Sequence, residues 1–295
     1  MRAVPVDDQR PAITIRRIGV VRHPSRDVGG AVGAVERWAA GNGAAVVPAG
    51  EPGWARDCDV VVAVGGDGTV LAAVRAAAAG RAPVLGVACG SLGALTAVDA
   101  DRVPEALDAL VAGPWDGRGL PALQLDPDAG ETVIAFNDLV VTRAAGSQVR
   151  VEVLVDDVRY ARWAGDGVVA ATALGSSAYT MALGGPLLTP GAPVVVVTPV
   201  APHGGAIPPL VVPDTSAVEL RVDGGHGGAR VELDGRPSRL DPERVRLSLH
   251  PDAVVLVRPE HGEPFLSSLR RRGLVADSPR ILAHERRLAR EAGTG

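Results

Sequence analysis

One aspartate set among glycines stands out in the stretch Gly65-Gly66-Asp67-Gly68-Thr69. Glycine lets a backbone take positive φ and approach a ligand closely. A helix start presents free N–H groups and the positive end of its dipole, which suits a phosphate. A carboxylate facing a phosphate is repulsive unless it holds a metal ion or takes a proton. Phosphate-friendly backbone plus one acid is the combination that phosphoryl transfer uses. The same residues also fit a plain sharp strand-to-helix turn with Asp67 as its cap. The spacing is not the G-x-G-x-x-G of dinucleotide folds, and no Gly-Lys-Ser/Thr follows to make a Walker A loop.

A second acid in glycines lies at Gly165-Asp166-Gly167, followed by an apolar strand and then Gly175-Ser176-Ser177-Ala178-Tyr179. Hydroxyls at such a turn either cap a helix or bind a ligand. Between the two motifs lies Asn137-Asp138. That pair suits neighbouring hydroxyls, as ribose recognition requires, or a simple turn.

The elements that must position these groups follow from hydrophobic spacing. Asp59 to Val64 is an apolar, β-branched run of buried-strand length, and Leu71, Val74 and Ala78 then share one helical face. Before it, Ile13 to Val21 reads as a strand, Gly30 to Ala40 as a helix and Ala44 to Val47 as a short strand. After it, Pro83 to Val87 reads as a buried strand. Asp101 is placed to cap a helix bearing Val103, Leu107 and Leu110. Strands alternating with helices imply a parallel sheet covered on both faces.

The pattern changes at Gly113 to Leu120. Val149, Val151, Val153 and Val155 then alternate with polar residues as an amphipathic strand, turning at Asp156-Asp157. Val218 to Val222 and Arg230 to Leu233 read as a second hairpin, and Val245 to Leu249 and Ala253 to Val257 close the set. The fold class expected is α/β with a Rossmann-like parallel sheet, followed by a β-rich, sandwich-like second domain. Residues 12–118 form the first domain, 119–260 the second, and 261–295 a C-terminal segment, helical from Leu269 to Glu291, that returns to the first domain. Met1 to Pro11 reads as a loose tail.

Composition narrows the chemistry. The chain has 295 residues, 46% hydrophobic and 22% charged, as in an ordinary globular protein. Its formal charge of -4 argues against nucleic acid or an anionic membrane as partner. It contains no lysine, so any phosphate charge must be met by arginine, backbone N–H groups or a metal ion. Cys58 and Cys89 lack metal-ligand spacing and read as free thiols of a reduced compartment. The start lacks the apolar core of a signal peptide, and no run of about 20 apolar residues is free of glycine, proline and charge. A cytoplasmic location follows.

Taken together, these motifs resemble the NAD kinase family from about Ile18 to about Leu269. Beside the two glycine-rich motifs and Asn137-Asp138, Thr198-Pro199-Val200-Ala201-Pro202-His203 and Leu233-Asp234-Gly235-Arg236 look like the family's late segments. The first motif is shared with lipid kinases and phosphofructokinases, whereas the order and spacing of the whole set is specific. The resemblance implies transfer of the γ-phosphate of ATP to the 2′-hydroxyl of the adenosine ribose of NAD, with Mg²⁺ as cofactor. Asp67 would be the catalytic acid, acting as general base or helping to organise the metal. Gly65, Gly66, Gly68 and Thr69 would cradle phosphates. Asn137 and Asp138 would bind the ribose hydroxyls and adenine side, and Asp166, Ser177, Ala178 and Tyr179 would line the nicotinamide-side pocket. A homodimer or homotetramer is implied.

The chain departs from the family's pattern at two walls of that pocket. Ala94 stands where the family has phenylalanine, and Leu174 stands in its Thr-Pro-Thr-Gly-Ser-Thr run. Lost stacking beside a base is worth about 1–3 kcal/mol. Ala94 and Leu174 are therefore the candidate specificity positions. Two alternatives stay open: a kinase of the same fold acting on another alcohol, and a dinucleotide-binding regulator without turnover.

Overall fold

The computed structural model describes residues 8–50, 53–90, 93–127, 132–258 and 265–292. The chain divides into two compact units, residues 1–260 and 261–295. The first opens with β1 (Asp8–Arg10), β2 (Arg17–Arg22), α1 (Gly29–Gly41), β3 (Ala45–Pro48) and β4 (Val60–Gly65). Then come α2 (Asp67–Ala77), β5 (Val84–Ala88), β6 (Val98–Asp99) and α3 (Val103–Ala112). Strands β3, β2, β4, β5 and β6 pair in parallel in that order.

Alternation along β4 explains why both faces are covered. Val60, Val62 and Val64 pack with Val32, Val35, Leu107 and Leu110 of α1 and α3. Val61 and Ala63 pack on the other face with Val70, Leu71 and Val74 of α2. All six residues of the strand are buried, so its register is fixed from both sides.

Antiparallel structure follows: β7 (Trp115–Pro127), β8 (Val133–Ala135), β9 (Asp138–Arg143), β10 (Val149–Val155), β11 (Val158–Gly165) and β12 (Gly167–Thr172). After the short α4 (Tyr179–Ala182) come β13 (Val194–Val200), β14 (Leu210–Pro213), β15 (Val218–Asp223) and β16 (Ala229–Leu233). The unit closes with β17 (Arg236–Ser238) and β18 (Arg244–Arg258). One sheet runs β11-β10-β15-β18-β5-β4-β2-β3, with β7 paired to β18; the second runs β14-β13-β12-β9-β16-β17. Leu123, Val151, Val153, Leu220 and Leu247 of the first sheet meet Val141, Val168, Ala170 and Val197 of the second in one buried layer. This is the expected α/β part plus β-rich sandwich.

Several local expectations are corrected. Asp8 to Arg10 is not loose: β1 pairs with Trp115 to Gly117, and Trp115 Nε1–H donates to Pro11 O at 2.8 Å. Residues 1–7 of that tail lie outside the described residues. The first long strand starts at Arg17, because Ile13 gives its N–H to Leu110 O at the end of α3 instead. The change of pattern at Gly113 to Leu120 is where the antiparallel structure begins, with β7 starting at Trp115. Asp101 does not cap α3; it sits in a 3-10 turn and Arg102 holds the cap position.

The expected second hairpin does not form. Strand β15 pairs with β10 and β18 in one sheet, while β16 pairs with β9 and β17 in the other. The glycine-rich link between them carries the chain across the sandwich. The two expected strands at Val245 to Leu249 and Ala253 to Val257 are one 15-residue strand with an irregularity between His250 and Val254. Its far end pairs in parallel with β5 through Leu256 and Val84. The second unit holds two helices where one was expected, α5 (Phe265–Arg271) and α6 (Pro279–Ala292). No helix among the described residues is long and apolar enough to cross a membrane.

Candidate functional site

The glycines of the first motif serve for space rather than for positive φ. Gly66, at the N-cap of α2, is extended with φ -107° and ψ -170°. A Cβ on Gly65 would fall 2.4 Å from Thr69 Oγ1, so Gly65 lets the helix start fold against the strand. A Cβ on Gly66 or Gly68 would meet nothing within 4 Å. Those two positions face an open cleft of about 1010 Å³. Asp67 and Thr69 also line it, together with Arg22, His23, Arg26, Trp54, Arg75 and Arg236. With no lysine in the chain, guanidinium groups and the start of α2 supply the positive potential.

Asp67 is the first residue of α2 and does not cap it through its side chain. Its carboxylate reaches across to the segment after β5. Oδ1 accepts the Leu95 N–H at 2.9 Å and Oδ2 the Ala94 N–H at 3.1 Å. A Cβ on Gly93 would fall 2.0 Å from Asp67 Oδ1, so only glycine fits there. Ala94 is thus held by its backbone directly against Asp67. Ser91 and Leu92, in the same run, lie outside the described residues.

The Asn137-Asp138 pair sits at the start of β9 and is pinned by a residue the sequence did not mark as functional. Asp234, whose side chain is 0% exposed, accepts the N–H groups of Asn137 and Asp138 on Oδ1 at 2.6 and 3.3 Å. Its Oδ2 accepts from Arg75 Nη1 at 3.2 Å. Asp234 and Gly235 both have positive φ, the conformation of a tight Asp-Gly turn between β16 and β17. Burial, together with the charges of Asp234 and Glu232, pushes the Asp138 carboxyl up to about 7. Burial also lowers the Arg75 pKa, opposed by the Asp234 charge. Arg75 reads from sequence as an ordinary helix-surface arginine; the Asp-Gly of the turn was the available signal for Asp234.

Close backbone approach joins the second motif to this pair. A Cβ on Gly175 would lie 2.1 Å from Asn137 O, and Thr172 N–H donates to that same oxygen at 2.9 Å. Thr172 Oγ1 donates to Phe136 O at 2.6 Å and accepts the Gly175 N–H at 3.2 Å. The Ser177 hydroxyl donates to Leu174 O at 3.3 Å, while Ala178 and Tyr179 are exposed, Tyr179 by 40%. Leu174 packs on the apolar cluster that includes Leu71 and Phe136. Asn137 and the Gly175 to Tyr179 turn are therefore brought together.

Asp166 is not brought to them. It precedes β12, and Asn137 is bonded to Thr172 at the opposite end of that strand, a separation of about 20 Å at 3.3 Å per residue. Asp166 instead pairs with Arg143 Nε at 2.7 Å. The glycines beside it are structural. A Cβ on Gly165 would meet Ala201 O at 2.7 Å, and one on Gly167 would meet Val141 O at 2.0 Å.

Comparison with known proteins agrees with this geometry. The ATP-NAD kinase N-terminal domain profile matches residues 33–114, and the ATP-NAD kinase C-terminal domain profile matches residues 136–251. The chain is 33% identical to the NAD kinase of Chlorobaculum tepidum over 208 residues, covering 69% of this chain and 70% of that one. It is 34% identical to the NAD kinase of Porphyromonas gingivalis over 219 residues, covering 72% and 75%. Among solved structures, the NAD kinase from Archaeoglobus fulgidus in complex with ATP superposes with a TM-score of 0.69 at 26% identity, covering 83% of this chain and 94% of that one. Yeast NADH kinase complexed with NADH superposes with a TM-score of 0.70 over 89% and 86% of the two chains; at 19% identity that likeness speaks for the fold.

Fold, cleft and relatives define a kinase. Within that class, the chain belongs to the ATP-NAD kinase family.

Proposed function

We propose that this protein transfers the γ-phosphate of ATP to the 2′-hydroxyl of the adenosine ribose of NAD, producing NADP. The observation that carries this reading is the placement of Asp67 between two open glycines at the start of α2, in an arginine-lined cleft large enough for a nucleotide. Gly66 and Gly68 offer the donor phosphates N–H groups at the start of the helix; Thr69, whose own N–H goes to Gly66 O at 2.9 Å, lines the cleft beside them, and Gly65 allows it to fold in against the strand. Asn137 and Asp138 hold the acceptor ribose, and Ser177, Ala178 and Tyr179 line the nicotinamide side; Asp166, paired with Arg143 at the far end of β12, is left out of that wall.

Asp67 takes the hydroxyl proton in this reading. Two backbone N–H donors, from Ala94 and Leu95, fix the orientation of its carboxylate. Holding the base rigid leaves little reorganisation for the reacting geometry.

A divalent ion fits this cleft in one manner. Among the described residues no three His, Cys, Asp or Glu side chains cluster as a metal cage, and Asp67 is the one carboxylate lining the cleft. That donor set suits Mg²⁺ held chiefly by phosphate oxygens with a single carboxylate beside it. When bound, the ion screens the phosphate charge. Leu174 packs against the core cluster rather than narrowing the turn at Ser177, which supports NAD over an altered acceptor.

The test is turnover by purified protein with Mg²⁺, ATP and NAD, with NADP read by a coupled dehydrogenase. NADP formation that is lost in Asp67→Asn is expected. A folded protein that binds NAD and ATP but forms no NADP would refute it.

A further inference from the structure

Arg236 is the one cleft-lining residue, among those described, that comes from the second sheet. The rest of the lining is drawn from α2, the end of β2 and the loops after β2 and β3. Arg236 opens the edge strand β17, its side chain is exposed, and no carboxylate among the described residues pairs with it. Its neighbours in the cleft are engaged. Arg75 pairs with Asp234 at 3.2 Å, Arg22 with Glu36 at 3.3 Å, and Arg26 Nη1 donates to Cys89 O at 3.3 Å.

An unpaired guanidinium beside a half-buried one is electrostatically unfavourable. After burial and the opposing Asp234 charge, the Arg236 charge is the next influence on Arg75, and it lowers that group's pKa. An anion lying in the cleft would relieve this repulsion, and the open glycines of α2 face the same space.

We infer that Arg236 is a donor-binding residue that grips the triphosphate of the nucleotide from the second sheet, opposite the start of α2. This rests on reading the cleft as the donor site. It also gives the Asp234-Gly235 turn two tasks. The turn fixes Asn137 and Asp138 through the Asp234 carboxylate, and it aims Arg236 at the donor. Donor grip and acceptor motif therefore share one support.

The experiment is steady-state kinetics of Arg236→Gln and Arg236→Lys beside the wild type, with circular dichroism to show that each is folded. Arg236→Gln is expected to raise the KM for ATP about tenfold, which is about 1.4 kcal/mol. The kcat at saturating ATP and the KM for NAD should stay within about twofold, and Arg236→Lys should recover part of the loss. An unchanged KM for ATP, or a change in the KM for NAD alone, overturns the assignment. If the wild type forms no NADP, the proposed reaction fails and calorimetric ATP binding decides this point separately. Binding about tenfold weaker in Arg236→Gln upholds the grip; equal binding, or none by either protein, overturns it.

Discussion

Asp234 Oδ1 accepts the backbone N–H of Asn137 at 2.6 Å. The bond joins a turn at one edge of the second sheet to the start of β9, and the other oxygen ties both to α2 through Arg75. Removing the carboxylate orphans three donors at once. Asp234→Ala should cost about 3 kcal/mol, the penalty of leaving a largely buried charge unpaired. A urea midpoint within error of the wild type would show that water replaces the carboxylate without loss.

Asp67 has two separable tasks, and Asp67→Asn distinguishes them. The amide would turn one N–H group toward an N–H donor of Ala94 or Leu95, a mismatch worth about 1–3 kcal/mol of stability. Loss of the base should lower kcat at least about 100-fold at saturating substrates. A variant that is destabilised yet turns over normally would reduce Asp67 to an anchor for the segment around Ala94.

Two glycine substitutions should give opposite stability changes. In Gly68→Ala the new methyl enters open space on a helix, gaining up to about 1 kcal/mol. It also intrudes on the cleft, so the KM for ATP should rise several-fold. In Gly175→Ala the methyl meets the carbonyl oxygen of Asn137, and a loss of about 3 kcal/mol is expected. Thermal melts of the pair, with ATP titrations of Gly68→Ala, check both.

Asp138 makes stability depend on pH. Its carboxyl ionises at an ordinary 3.8 when unfolded and at about 7 in the fold. Between those values the folded chain holds more protons than the unfolded one, so stability falls as pH rises through the window and levels off above 7. From pH 5 to pH 8 this contributes a loss of up to about 3 kcal/mol. Asp138→Asn should flatten that component in urea titrations at the two pH values. An unaltered slope would assign the effect to another group.

The α/β half was readable because its signals are local. The run Val60 to Val64 needs both faces buried, and the helix after Thr69 shows its stripe within three turns. The sandwich was readable as strands and as the local hairpin turning at Asp156-Asp157, but not as long-range pairings. Nothing within Val218 to Leu233 says that β15 and β16 belong to opposite sheets, since each choice is made by partners far along the chain. The site behaved likewise. Asp67 and Asn137 announced themselves by their neighbours, whereas Asp234 gains its place from Arg75, 159 residues away, and Arg236 from a cleft built by the other half. Asp166 shows the converse: a glycine-flanked acid whose glycines answer to backbone crowding at Ala201 and Val141.

Strand β18 has a consequence for biosynthesis. It contributes Val257 to the layer under α1 and α3, Leu247 to the interior of the sandwich and Leu256 to the layer under α2. It is also among the last stretches of its unit to leave the ribosome. Until then the nascent α/β half presents the Val84 end of β5 as an open edge, able to recruit strands from other chains. A stop codon between Arg236 and Arg244 would leave that edge permanently uncovered, and the product should be lost to aggregation although Asp67, Asn137 and Arg236 had all been translated.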